Sequence, residues 1–141
     1  MPLQKVTEQQ QQEFLGIIQK AYAKEGGTDF NTFIRKLATT LKDPNNKLIQ
    51  FGQSVFLMMR KTPDTVEVHT FSTEPPPALV KAFQALAKFL KSQGMKKAVT
   101  YAENPAYYGI AKQTGLPVRV ARTQKKLSGQ DKPVYQFEVT F

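Results

Sequence analysis

The chain has 141 residues, 40% hydrophobic and 22% charged, the proportions of one globular domain able to bury a core without external staples. It has no cysteine and a single histidine, His69, which excludes disulfides, thiolate nucleophiles and Cys-ligated metal, and leaves no metal site to expect. The net charge of +9 is uneven: Met1–Pro77 carries nine Lys/Arg against eight Asp/Glu, Ala78–Phe141 eleven against three. Such a bias suits a face that meets an acidic protein or nucleic acid, although a merely solvated surface explains it as simply. No apolar run approaches the roughly 18 residues of a membrane span. The polar Gln9–Gln12 start is unlike a signal peptide, so an intracellular protein without a membrane partner is expected.

Leu3–Val6 reads as a short strand and Thr7 as a helix N-cap, with Gln10 at capping-box spacing. Phe14, Ile17, Ile18 and Ala21 recur at helical period to about Lys24, and Gly26-Gly27 stops that helix. Asp29 caps a second helix with the stripe Phe30, Phe33, Ile34, Leu37 and Leu41, and Asp43-Pro44-Asn45-Asn46 is a turn. Leu48–Phe51 is a short strand before Gly52. Val55–Met59 is continuously apolar, the mark of a central strand covered on both faces. Beyond the turn Thr62-Pro63-Asp64, Val66–Ser72 alternates: Val66 and Val68 face one way, Glu67, His69 and Phe71 the other.

From about Pro77 to Gln93 a helix presents Leu79, Ala82, Phe83, Leu86, Ala87 and Leu90 to the core and keeps Lys81, Lys88 and Lys91 off that stripe. Gly94 closes it and Ala98–Tyr101 is a strand. Asn104-Pro105 opens a short helix ending at Gly115, with proline where a missing N–H costs least. Val118–Thr123 and Val134–Phe141 are strands; in the last, Tyr135, Phe137, Val139 and Phe141 share a core face. Gln124–Lys132, polar and basic, is expected as an exposed hairpin loop. The order is β-α-α-β-β-β-α-β-α-β-β: one α/β domain over residues 1–141, a mixed sheet with helices on both faces.

That order, with Asn104 eleven residues before Gly115 and an apolar residue after the glycine, resembles the GNAT acetyltransferase superfamily. The resemblance implies acetyl-CoA bound between two splayed parallel strands, here Val66–Ser72 and Ala98–Tyr101. It also implies a Gln/Arg-x-x-Gly-x-Gly/Ala turn holding the pyrophosphate on backbone N–H groups, and a tyrosine four residues before the closing glycine. Both depart here. The turn is Thr73-Glu74-Pro75-Pro76-Pro77-Ala78, in which three prolines remove three amide donors and Glu74 adds a negative charge near the phosphate position. The tyrosine position is Ala111, with Tyr107 and Tyr108 one helical turn earlier.

These departures favour a non-catalytic GNAT-like protein without cofactor, similar to small GNAT-like proteins of tailed phages. It would act through protein contacts in a homo- or hetero-oligomeric particle such as a virion. The alternative is an active acetyl-CoA-dependent N-acetyltransferase with Glu67 or His69 as base and Tyr108 as acid, the cofactor touching Phe71, Thr73, Ala78 and Asn104. A second alternative is nucleic-acid binding. Arg119, Arg122, Lys125 and Lys126 are the expected contacts to nucleic acid or to an acidic partner.

Overall fold

In the computed structural model, residues 8–24, 27–102, 107–127 and 130–141 are described. Helices α1 (Glu8–Lys24) and α2 (Phe30–Leu41) precede the hairpin strands β1 (Asn46–Phe51) and β2 (Ser54–Thr62), then β3 (Thr65–Ser72). Helix α3 (Pro76–Ser92) leads to β4 (Lys97–Ala102), the short helix α4 (Tyr107–Gln113), and the pair β5 (Val118–Leu127) and β6 (Gln130–Thr140). The sheet order is β1-β2-β3-β4-β6-β5, antiparallel except for β3 and β4. The expected strand Leu3–Val6, the cap Thr7, the glycine stop at Gly26 and the Asn104-Pro105 helix start lie outside the described residues.

Periodicity in the sequence explains the layering. On one face Ile17 and Ile18 of α1 and Leu37 of α2 pack with Val55 and Leu57; on the other Ala82, Leu86 and Leu90 of α3 pack with Phe56, Met58, Val66 and Val68. Strand β2 is therefore apolar at successive residues because both of its faces are covered, and Ser54–Met58 are all buried. Asp29 caps α2, its carboxylate accepting from the Thr32 N–H at 3.0 Å and from the Thr32 hydroxyl at 2.7 Å. Gly94, at φ 83°, ends α3: the Met95 N–H reaches Leu90 C=O and the Gly94 N–H reaches Lys91 C=O.

The expected loop Gln124–Lys132 is corrected. The β5–β6 ladder continues past Thr123↔Val134 to Leu127↔Gln130, so the polar stretch is strand over 124–127 and again over 130–132. Two strands satisfy one another's backbone groups whatever their side chains, and this polar, basic sequence carries no apolar alternation to announce them. Pro133 lies within this ribbon, opposite Gln124.

Candidate active site

Among the described residues, the one parallel pairing in the sheet is short. Strands β3 and β4 pair at Thr65↔Lys97, Val66↔Ala98 and Glu67↔Val99, and then part. Each leans on its other neighbour: β3 stays in register with β2 to Ser72, and β4 with β6 to Ala102. The backbone edges of 68–72 and 100–102 thus face one another across a wedge instead of a ladder. A cavity of about 840 Å³ runs through it. On one side it is bounded by α3 and α4 (Phe83, Leu86, Tyr107, Ala111), on the other by Tyr22, Gly27, Thr28 and Phe33 from α1, α2 and their connection.

Alternation on β3 places the two titratable side chains on the α1/α2 side. Glu67 is 8% exposed, and its Oε2 lies 2.7 Å from His69 Nε2. The His69 side chain is 36% exposed and lines the cavity, so the pair joins a buried carboxylate to an imidazole that reaches open space. With Nε2 engaged by Glu67, the neutral tautomer carries its lone pair on Nδ1. Tyr101, at the far end of β4, lines the same cavity; burial first, and then the negative charge of Glu67, push its phenol above the ordinary value. It remains a protonated donor at neutral pH.

The other expected site residues are distributed differently. Phe71 lines the cavity. Tyr108 does not: it is 41% exposed, with Lys112 Nζ 4.6 Å from its ring centroid. Tyr107, its neighbour, is the tyrosine of α4 that lines the cavity. Helical geometry turns adjacent residues about 100° apart, and a seven-residue helix carries too short a pattern to set its phase. Thr73 is exposed between β3 and α3, and Asn104 lies outside the described residues. Arg119 and Arg122 fall opposite Glu138 and Tyr135, three residues apart on β5, and so on opposite faces of the sheet; they do not form one patch. The side chains of Lys125 and Lys126 are outside the described residues.

Glu74 is also corrected. Its carboxylate turns away from the helix end toward the β1–β2 hairpin, where Oε1 accepts from the Gln53 N–H at 3.0 Å and lies 2.6 Å from Ser54 Oγ. Ser54 and Ser72, register partners, have hydroxyls 2.7 Å apart, and Ser72 Oγ accepts the Glu74 N–H at 3.0 Å. Each hydroxyl has one proton. Ser54 therefore donates to Glu74 and Ser72 to Ser54, closing a ring that pins the start of the turn.

The wedge is long, largely apolar and edged by unladdered backbone, the features that the pantetheine thioester of the implied cofactor would need. The helix end that would meet its diphosphate is a poorer partner. Of the four amide positions that open α3, Pro75, Pro76 and Pro77 have no N–H and only Ala78 retains one; the N-cap Pro75 makes no side-chain cap bond. The two helices on that side of the sheet carry cationic side chains. Lys81, Lys88 and Lys91 of α3 and Lys112 of α4 are exposed, and neither described helix carries a carboxylate.

No protein-family model matches the sequence, and no curated protein matches it. Solved structures do. An aminoglycoside 6'-acetyltransferase type Ii is similar with a TM-score of 0.67 at 11% identity, over 99% of this chain and 95% of that one. A chimera of the Vibrio cholerae spermidine N-acetyltransferase SpeG and hSSAT gives 0.67 at 8% identity, over 96% and 94%. A probable GNAT-family acetyltransferase from Chromobacterium violaceum gives 0.60 at 17% identity, over 79% and 68%. The fold is the GNAT fold. The expectation of a non-catalytic structural or virion protein is corrected: the chains that share this architecture end to end are named as acetyltransferases. That expectation rests on the three prolines and on Ala111; the prolines alter one helix end and leave the wedge and its titratable pair intact, and beside Ala111 the same short helix turns Tyr107 to the cavity.

Proposed function

We propose that the protein is an N-acetyltransferase that takes its acetyl group from acetyl-CoA and passes it to a primary amine. The observation that carries this reading is the Glu67–His69 pair, which opens into the cavity where β3 and β4 separate. When bound, acetyl-CoA supplies an activated acetyl thioester. His69 Nδ1 takes the amine proton, and Glu67 orients the ring through Nε2 and stabilises the imidazolium that results. Tyr107 stands on the α4 side of the wedge, across from the base, and offers its phenol proton to the departing sulfur. Tyr101 shares the face of the base and borders the acceptor space. Lys81 in the second turn of α3, and Lys112 on α4, whose end is joined to that part of α3 by Gln84 on Thr114 C=O, attract the phosphates as point charges, a weaker and more salt-sensitive hold than convergent amides.

The test is calorimetric titration with acetyl-CoA followed by an assay of thiol release in the presence of primary amines. Wild type should bind and turn over; His69→Ala should bind acetyl-CoA as before and lose about 10²–10⁴-fold in kcat. Absence of acetyl-CoA binding, or an unchanged rate in His69→Ala, would overturn the reading.

A further inference from the structure

The acceptor end of the cavity has a definite chemistry. Tyr22 and Phe33 stack with centroids 4.7 Å apart and planes at 17°, and Phe71 meets Phe33 edge-on at 5.8 Å. All three border the cavity beside His69 and each is only partly buried; Tyr22 and Phe33 cover one face of each other and meet the cavity with what remains. The wall is held in place. The Asp29 N–H donates to Tyr22 Oη at 3.2 Å, the Gly27 N–H to Tyr22 C=O at 3.0 Å, and any Cβ at Gly27 would collide with the Tyr22 ring. None of the described residues lining the cavity is Asp, Glu, Lys or Arg, and Glu67 sits behind His69 with its charge already engaged.

We infer that the acceptor is an aromatic amine with a single cationic centre, a phenylethylamine-like compound, and not a polyamine or aminoglycoside. The inference rests on the acetyltransferase reading above and specifies its substrate. An aryl ring gains offset or edge contacts with Tyr22, Phe33 and Phe71, and one ammonium is accommodated beside an aromatic wall and the Glu67–His69 pair. A polycation would surrender the hydration of several charges to a lining that returns none, on a chain whose own net charge is +9. The transfer balances with what is named: the bound ammonium first gives one proton to solvent, the neutral amine nitrogen then gains a bond to the acetyl carbon as the thioester C–S bond breaks, its second departing proton passes to His69, and the thiolate takes one from Tyr107, which solvent restores.

The test compares 2-phenylethylamine, ethylamine, spermidine and kanamycin with the full chain, by calorimetric binding and by acetyl transfer from acetyl-CoA. The expected result is 2-phenylethylamine ahead of spermidine by at least about tenfold in both, a ratio set by ring contacts of this size. In Phe33→Leu, kcat/KM for 2-phenylethylamine should fall about tenfold, mainly through KM, with ethylamine little changed. Preference for spermidine or kanamycin, or no binding of 2-phenylethylamine by a protein that binds acetyl-CoA, overturns the inference and leaves acetyl transfer standing. Failure to bind acetyl-CoA at all removes both.

Discussion

At the scale of single residues, the parity of a β-strand decides much of the chemistry. Glu67 and His69 are two apart, so they share a face wherever the strand lies, and that much is legible in the sequence; that they pair, with Glu67 buried, is not. Tyr22 and Phe33 are not legible there as walls, because they come from different helices and converge only through the α1–α2 connection. Adjacent tyrosines are a direct check on the site. Tyr107→Phe should cost about 10²–10⁴-fold in kcat, and Tyr108→Phe should leave the rate near wild type, since its ring faces solvent under Lys112. Equal losses in steady-state assays of the two variants would defeat the assignment. Glu74 gives a stability prediction instead. Glu74→Ala removes the acceptor of the buried Ser54 hydroxyl and of the Gln53 N–H, and should destabilise by about 1–3 kcal/mol in urea unfolding.

Secondary-structure elements are legible in the sequence where an apolar stripe or a cap marks them. Asp29 and a stripe from Phe30 to Leu41 announce α2, and its period and Gly94 announce α3; the distal half of the β5–β6 ribbon carries no such stripe and reads as a loop. The Asp29 cap has a pH consequence. The side-chain and then backbone hydrogen bonds from Thr32 hold its carboxyl below the ordinary value of 3.8, so its contribution is complete above that pH and is lost as the pH falls through the lower, folded value. Asp29→Ala should therefore lower the thermal midpoint at pH 7, and that difference should shrink in strongly acidic buffer. At the start of α3, restoring donors is a gain-of-function experiment. Pro76→Ala with Pro77→Ala returns two amide protons to the helix end and should tighten acetyl-CoA binding by roughly tenfold or more, taking a charged hydrogen bond at about 1.5–3 kcal/mol. Acetyl-pantetheine, which has no diphosphate, should be indifferent. An equal effect on both ligands in calorimetry would show that the prolines act only on the fold.

For the molecule as a whole, the charge bias of the second half gains a location. Lys81 lies near the proline-rich start of α3, Lys88 and Lys91 further along it and Lys112 on α4, whereas the described lining of the cavity has no Asp, Glu, Lys or Arg. Acetyl-CoA affinity should fall markedly between low and moderate ionic strength, and 2-phenylethylamine affinity should change little. A flat salt dependence for acetyl-CoA in titrations would disconnect the basic half from the donor. The separation of β3 from β4 has one more consequence. The six strands amount to two three-stranded halves joined at a seam of three residue pairs and tied across its base by the Lys96 and Lys97 N–H groups on Asp64 C=O. A ligand in the wedge supplies the absent rungs of that seam, so occupancy should slow amide exchange in β3 and β4 together, knitting two halves of the sheet into one.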